Sequence, residues 1–286
     1  MPLPLTDSGR ARGGAATAAE PGAAAGPSGA PGCATGVRWQ LLLEPQGRSG
    51  PQNMAVDVAL LERADRMGEA FLRLYRFDPP CLSLGRNEAA AGYDRAAIAR
   101  LGVDVVRRPT GGGSVWHEHE LTYAAAAPIV TFGSLREAYH AIHERLATAL
   151  RSLGADATLA VRRPPPPSTA FHRPASCFAI PAGGEIVVGV RKLVGSAQVR
   201  RGGAFLQHGS ILLAGSQDLI TAVSREPQAV SADTTLAAVL RRPVSFADVA
   251  QAIVAAWGDD ITSTALHRPP PASTARFLDS VWTWRR

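Results

Sequence analysis

The chain has 286 residues, of which 46% are hydrophobic and 19% charged, and it carries a formal net charge of +6. That length fits one or two domains of about 100–200 residues and supplies enough apolar side chains for a sizeable core. Cys33, Cys81 and Cys177 are too few and too scattered for a disulfide framework or a zinc site, no stretch reaches the roughly 18 apolar residues of a membrane span, and no basic run interleaves with aromatics as in a nucleic-acid binder.

Residues 1–36 are rich in Ala, Gly and Pro and poor in large apolar side chains, so a disordered tail is expected there. They lack a basic start followed by a compact apolar core, a poor match to a signal peptide. With so few cysteines, a reducing cytoplasm is the expected location. Structure is expected from Val37, where Val37–Leu43 reads as a strand. Pro51 opens a helical pattern with Met54, Val58 and Leu61 on one face. Ala70–Phe77 alternates apolar and polar residues as a half-buried strand does; Pro79 and Pro80 end it, and Cys81–Leu84 is a further short strand. Asp94 caps a short helix ending near Gly102, and Val103–Val106 is a strand running into a glycine turn. Leu121–Ala127 reads as a buried strand, and Ser134–Leu153 as a helix with Leu135, Ala138, Ile142 and Leu146 at helical spacing. Residues 163–175, with four consecutive prolines, form a loop. Short strands follow at Glu185–Gly189, Lys192–Gln198 and Ala204–Leu213, then a helix from Ser245 to Trp257. The segment 263–286 is expected as a C-terminal tail with an aromatic patch at Trp282 and Trp284. Adjacent strands with separate helices, rather than regular strand–helix alternation, indicate an α+β fold with a mixed, largely antiparallel sheet.

Lysine occurs once, at Lys192, against 29 arginines. Arginine replaces lysine on a surface, but not where a compact ammonium or a removable proton is required. Lys192 is therefore the first candidate functional residue.

The glycine turn reads Arg107-Arg108-Pro109-Thr110-Gly111-Gly112-Gly113 and leads to His117. It is neither a Walker loop nor a dinucleotide fingerprint. Two readings stay open from the residues: a tight connection, or a cradle whose N–H groups meet a ligand carbonyl, carboxylate or phosphate. His117 and His119 alternate as metal ligands on one strand would, but no third ligand accompanies them, so they read as polar residues at a strand start, with His117 a candidate pocket wall.

A second segment holds Ser176-Cys177-Phe178, then Lys192-Leu193-Val194-Gly195-Ser196-Ala197-Gln198, then Gln207-His208-Gly209-Ser210. Glycines inside apolar strands mark close approach of a ligand. Cys177 lies fifteen positions before Lys192, a separation that a strand turn can close. It is either an inert buried thiol or a nucleophile whose thiolate the ammonium stabilises.

Together these segments resemble the lipoate/biotin protein ligase catalytic-domain superfamily. The glycine turn is similar to its Arg-Arg-x-Ser/Thr-Gly-Gly motif, Lys192–Gln198 to its Lys-x-x-Gly-Ser-Ala strand, and His208-Gly209-Ser210 to its His-Gly-Ser/Thr. Weaker echoes lie at Asn53–Asp57 and at Leu84-Gly85-Arg86-Asn87. Ser176-Cys177-Phe178, where ligases carry Asn-Asp, resembles the cysteine-dependent octanoyltransferases of this superfamily, as does Glu120–Tyr123. Gly113 is instead ligase-like, and Ala179–Gly184 lacks the Ser-x-Tyr of the transferases.

The resemblance implies a catalytic domain over 37–262 that moves an octanoyl group from acyl carrier protein to a lysine of a lipoyl-domain protein, such as the glycine-cleavage H protein. It implies Cys177 and Lys192 as catalytic. Arg108, Thr110, Gly111, Gly112, Gly113, His117, Gly195, Ser196, Ala197, His208 and Gly209 are implied as substrate-binding. No metal or cofactor is implied for a transferase. ATP and Mg enter only under the alternative, an ATP-dependent lipoate-protein ligase. A non-catalytic acyl-carrier-binding homologue is the third reading.

Overall fold

The computed structural model describes residues 37–161, 177–178, 183–226, 232–259, 261–264 and 271–285. The tail expected over 1–36, the proline loop expected over 163–175, and Ser176 lie outside the described residues.

β1 (Trp39–Arg48) runs past the expected end at Leu43 because a shift in register between Glu44 and Arg48 absorbs Pro45 and Gly47 and restores pairing. α1 (Gly50–Met67) carries Pro51 in its first turn, where no intrahelical donor is lost, and Gly68 at φ +70° ends it. β2 (Ala70–Phe77) and β3 (Cys81–Leu84) follow the expected bounds.

α2 (Arg95–Arg100) is capped by the Asp94 carboxylate, which accepts from the N–H groups of Ala96 and Ala97. β4 (Asp104–Arg107), β5 (Val115–His117), β6 (Glu120–Pro128), α3 (Leu135–Ser152), β7 (Ala157–Leu159), β8 (Ile186–Val188), β9 (Arg191–Lys192), β10 (Val194–Arg201) and β11 (Ala204–Leu212) come next. The chain continues through α4 (Leu236–Leu240), α5 (Phe246–Trp257), β12 (Ile261–Ser263), α6 (Pro271–Leu278) and α7 (Ser280–Thr283).

The main sheet has strand order β10-β11-β6-β2-β1-β12. β10, β11, β6 and β2 pair antiparallel in turn, whereas β1 is parallel to both β2 and β12, so the sheet is mixed as expected. Two small sheets, β4-β3-β5 and β7-β8-β9, flank it. Among the described residues no helix is long and apolar enough to cross a membrane.

β2 departs from the half-buried strand expected of its alternation. Leu72 and Leu74 enter the core under α3 and α5, and Phe71, Tyr75 and Phe77 enter a second core under α1. Arg73 sits among the latter, fully buried, and holds Asp57 at 2.8 Å and Glu44 at 2.6 Å. A buried guanidinium is tolerated because both charge and hydrogen bonds are met. The sheet is therefore covered on both faces, and Arg73 of β2 is an internal ion-pair site rather than a solvent position.

Within the segment expected as a tail, α6 and α7 are folded onto the domain. Phe277 of α6 is buried against α1, and Trp282 packs on the same core.

Candidate active site

The expected strand Lys192–Gln198 breaks at Leu193. β9 pairs with β8, placing Lys192 opposite Val187, while β10 pairs with β11, placing Val194 opposite Ile211. Lys192 thus stands at the seam between two sheets, 1% exposed. Its Nζ donates to Glu185 Oε1 at 2.6 Å and to the Cys177 carbonyl at 2.6 Å, and lies 3.8 Å from Cys177 Sγ. Two short charge-assisted bonds fix the ammonium, and its remaining hydrogen is available toward the sulfur.

Cys177 is half-buried, and its N–H donates to Ser114 O at 2.9 Å, which joins it to the end of the glycine turn. Phe178 is buried between Val115 and Leu212. A Cβ on Gly195 would lie 2.7 Å from the Phe178 ring, so glycine there is what allows the ring, and Cys177 beside it, to sit against β10.

The glycine turn is a clamped structure. Arg108 Nη2 donates to Gly111 O at 3.1 Å and to Gly113 O at 2.8 Å, closing the turn from inside. Gly112 has φ +90°, and a Cβ there would point at Cys177 Sγ, 3.8 Å away. Gly85 backs the turn so closely that a Cβ would meet Gly112 O.

Two carboxylate–histidine–hydroxyl relays hold this turn. In the first, Arg108 Nη1 donates to Ser83 Oγ at 2.7 Å, Ser83 Oγ lies 2.6 Å from His117 Nε2, and His117 Nδ1 meets Glu120 Oε1 at 2.5 Å. In the second, Thr110 Oγ1 is 2.7 Å from His208 Nε2, and His208 Nδ1 is 2.8 Å from Asp57 Oδ2. Burial pushes the His208 imidazole below its ordinary range, so the Thr110 hydroxyl donates to a neutral ring. Burial alone would raise Asp57, but His208 and Arg73 outweigh it and hold the carboxyl below its usual range.

A third network lies behind Ser196. His143 of α3 donates from Nδ1 to Gly184 O at 2.6 Å, and its Nε2 is 2.9 Å from Ser196 Oγ. Tyr123 OH is 2.7 Å from Ser196 Oγ and accepts from Gln207 Nε2 at 2.9 Å. Burial pushes His143 down to about 4, so Nε2 is an acceptor at neutral pH.

A narrow cavity opens between these networks. Its wall includes Arg108, His117, Cys177, Gly195, Ser196, Ala197, His208 and Gly209, together with Met54, Tyr75, Phe77 and Val115. The polar side chains on it are bonded mostly to one another, which leaves a largely hydrocarbon surface. Thr110, Gly111, Gly112, Gly113 and Lys192 are not among the residues that line it. His119 is elsewhere: residues 118–119 bend between β5 and β6, and His119 is exposed beside Glu118, so the two histidines do not share a strand face. Among the described residues no group of three or more His, Cys, Asp or Glu is arranged to hold a metal.

The model of the family described as the lipoyl protein ligase A/B catalytic domain matches residues 49–258. The chain belongs to that family. Within it, the chain is 37% identical over 240 residues to octanoyltransferase LipM of Symbiobacterium thermophilum, covering 77% of this chain and 85% of that one. It is 41% identical over 228 residues to octanoyltransferase LipM of Kyrpidia tusciae, with 76% and 81% covered. The fold is that of a lipoate-protein ligase A solved with bound ATP, at a TM-score of 0.70 and 21% identity over 87% of this chain and 99% of that one. A bi-partite lipoate protein ligase of Thermoplasma acidophilum superposes at a TM-score of 0.62, also at 21% identity, over 87% and 96% of the two chains.

In this lipoyl protein ligase A/B domain, three residues, Glu185, Ser83 and His143, escape a reading of motifs, whereas Asp57 ends the Asn53–Asp57 echo. Glu185 reads as the start of a strand, yet it is the carboxylate on Lys192. Ser83 and Asp57 complete the relays. His143 falls on the same helical face as Ile142 and Leu146, where a histidine looks like any core residue; its spacing carries no signal that it ends at Ser196.

Proposed function

We propose that this chain is an octanoyltransferase of lipoate biosynthesis that works through an acyl-thioester on Cys177. The observation that carries the reading is the ammonium of Lys192, held by Glu185 beside a half-buried cysteine at the end of an apolar-walled cavity. The similarity to octanoyltransferases over most of the chain supports the same acyl group.

Cys177 Sγ attacks the carbonyl of an octanoyl thioester carried by acyl carrier protein. The tetrahedral oxyanion forms next to Lys192 and the backbone N–H groups of the glycine turn, where fixed donors stabilise it most. The donor C–S bond then breaks, its sulfur leaves with a proton, and Cys177 holds the octanoyl group. The amine of a lipoyl-domain lysine, having lost a proton, attacks this thioester. An amide forms, the bond between the acyl carbon and Cys177 sulfur breaks, and the sulfur takes up the amine's second proton to restore the thiol. The donor thioester supplies the driving force, so the sequence of steps uses no nucleotide. The free thiols Cys81 and Cys177 suit a cytoplasmic, reducing setting.

The test is incubation with octanoyl-loaded carrier and intact-protein mass spectrometry. An octanoyl adduct that disappears in Cys177→Ala is expected. No adduct, with ATP-dependent modification of a lipoyl domain by free lipoate, would replace this reading with a ligase. Carrier binding with no modification under either condition would make the chain a non-catalytic homologue.

A further inference from the structure

The C-terminal helices carry a cluster of arginines that the chemistry above does not use. Arg276 Cζ and Arg285 Cζ each lie 4.1 Å from the centre of the Trp282 ring. Arg86 is joined to them, because Arg285 Nη2 donates to the Arg86 carbonyl. Arg86 and Arg276 are exposed, and Arg285 is half-buried. Leu278 and Val281, on the same two helices, are 67% and 76% exposed.

Like charges gathered this closely repel. After burial, the influences that lower Arg276 are Arg86, Arg285 and Arg201, with Glu62 pulling the other way more weakly. Glu62 is already shared by Arg66 at 3.1 Å and Arg201 at 2.6 Å. A folded surface keeps such an arrangement at a cost in stability, and an anionic partner relieves it. Arginine with aromatic and exposed apolar neighbours is also the composition of protein–protein contact centres.

The cluster is tied to the reacting sulfur through few bonds. Arg86 N–H donates to Thr110 O at 2.8 Å, at the head of the glycine turn, and Gly112 of that turn faces Cys177 Sγ. From behind, Arg107 Nη1 donates to Gly85 O at 2.7 Å while its Nε donates to Thr283 O at 3.1 Å, so one buried guanidinium holds the turn's backing and the C-terminal helices together. The turn links the cluster to the sulfur. A partner docked on the arginines therefore reaches Cys177 with a flexible arm rather than with a residue of its own surface.

We propose that Arg86, Arg276 and Arg285, with the apolar residues of α6 and α7, form the docking surface for the acidic carrier protein that delivers the acyl group on its phosphopantetheine thioester. This rests on the octanoyltransferase reading above. α6 and α7 span only Pro271–Leu278 and Ser280–Thr283, too little amphipathic helix for a lipid-surface anchor, so an acidic protein face is favoured over an anionic membrane.

The experiment compares two donors on the full chain, octanoyl carrier protein and octanoyl-pantetheine, following the Cys177 adduct by mass spectrometry. In Arg276→Glu and in Arg86→Glu/Arg276→Glu, the KM for the carrier-borne donor is expected to rise on the order of tenfold or more, with a steeper loss in the double variant. Acylation by octanoyl-pantetheine is expected to stay at the wild-type rate, which also shows that the variants fold. An unchanged carrier KM overturns the docking proposal alone. So does a defect confined to transfer from preformed acyl-enzyme to the acceptor, or loss of binding to vesicles of anionic phospholipid with unchanged carrier kinetics. A wild-type chain acylated by neither donor takes down the octanoyltransferase reading and this proposal with it.

Discussion

Glu185 and Lys192 form an ion pair at 2.6 Å with both side chains almost wholly removed from water. A buried cation needs such a partner, and together with the bond to the Cys177 carbonyl it leaves the ammonium one hydrogen to direct toward Cys177 Sγ at 3.8 Å. Removing one member of a buried pair costs about 3–5 kcal/mol, because the other charge stays buried. Glu185→Gln keeps the shape and loses the charge. Its urea midpoint is expected to fall by a corresponding amount, and the rate of Cys177 acylation to fall with it. Glu185→Asp, which restores the charge on a shorter stem, is expected to recover stability more than acylation. Wild-type acylation in Glu185→Gln would show that the pair is structural only.

Gly195→Ala tests whether the position of Phe178 sets the position of Cys177. The new methyl would meet Phe178 Cε2 at 2.7 Å. Overpacking of this kind costs roughly 1–3 kcal/mol. The ring has to shift, and Cys177 precedes it in the chain. Acylation is expected to slow more than stability alone explains, as measured by single-turnover mass spectrometry at a temperature where the variant is fully folded. Gly68→Ala, with open space around its Cβ, is the control that strains a positive φ far from the site.

The parts of this site legible in the sequence are those where backbone geometry leaves few residue choices. Gly112 and the Lys192–Gln198 segment are of this kind: a φ of +90° favours glycine at Gly112, the Phe178 ring demands it at Gly195, and a compact ammonium demands lysine. The residues that are not legible owe their role to partners far along the chain. His143 meets Ser196 and Gly184, yet it is an ordinary choice within its own helix. Arg73 looks like a solvent position of an alternating strand until α1 brings Asp57 over it. Strand bounds follow the same logic. β2 ends ahead of Pro79 and Pro80 and β3 ahead of Gly85, where local chemistry decides, whereas the break at Leu193 is set by which neighbouring sheet each half pairs with.

His143 gives the fold a pH dependence of known sign. Burial, and then the nearby positive charge of Lys192, push it down to about 4, against the pull of its bond to Gly184. In the unfolded chain a histidine titrates near about 6.5. Between these values the unfolded chain binds a proton that the folded chain refuses. The stability contribution is therefore complete above about pH 6.5 and is lost as pH falls toward about pH 4, by roughly 3 kcal/mol in total. Asp57, whose carboxyl is held below its usual range, adds loss only at lower pH. Urea midpoints measured from pH 7 to pH 4 are expected to fall in the wild type and to fall less steeply in His143→Gln. Equal slopes would mean that another group carries the titration.

Arg107 is the residue that makes the C-terminal segment part of the domain. Its guanidinium, fully buried, donates to the carbonyls of Gly85 and Glu88 on one side and of Trp282, Thr283 and Arg285 on the other. Trp282 Nε1 returns a bond to the Arg107 carbonyl at 3.1 Å. Lysine keeps the charge but offers three donors from one point and cannot span both sets of carbonyls. Arg107→Lys is expected to lower stability by roughly 2–4 kcal/mol, since buried carbonyls are left without donors. The loss should be local in its first stage. Amide hydrogen exchange over α6 and α7 is expected to accelerate well before the strands of the main sheet are affected, and the Trp282 environment to change in step. Uniform acceleration across the whole domain would show instead that the C-terminal helices are no more separable than β6 or β11.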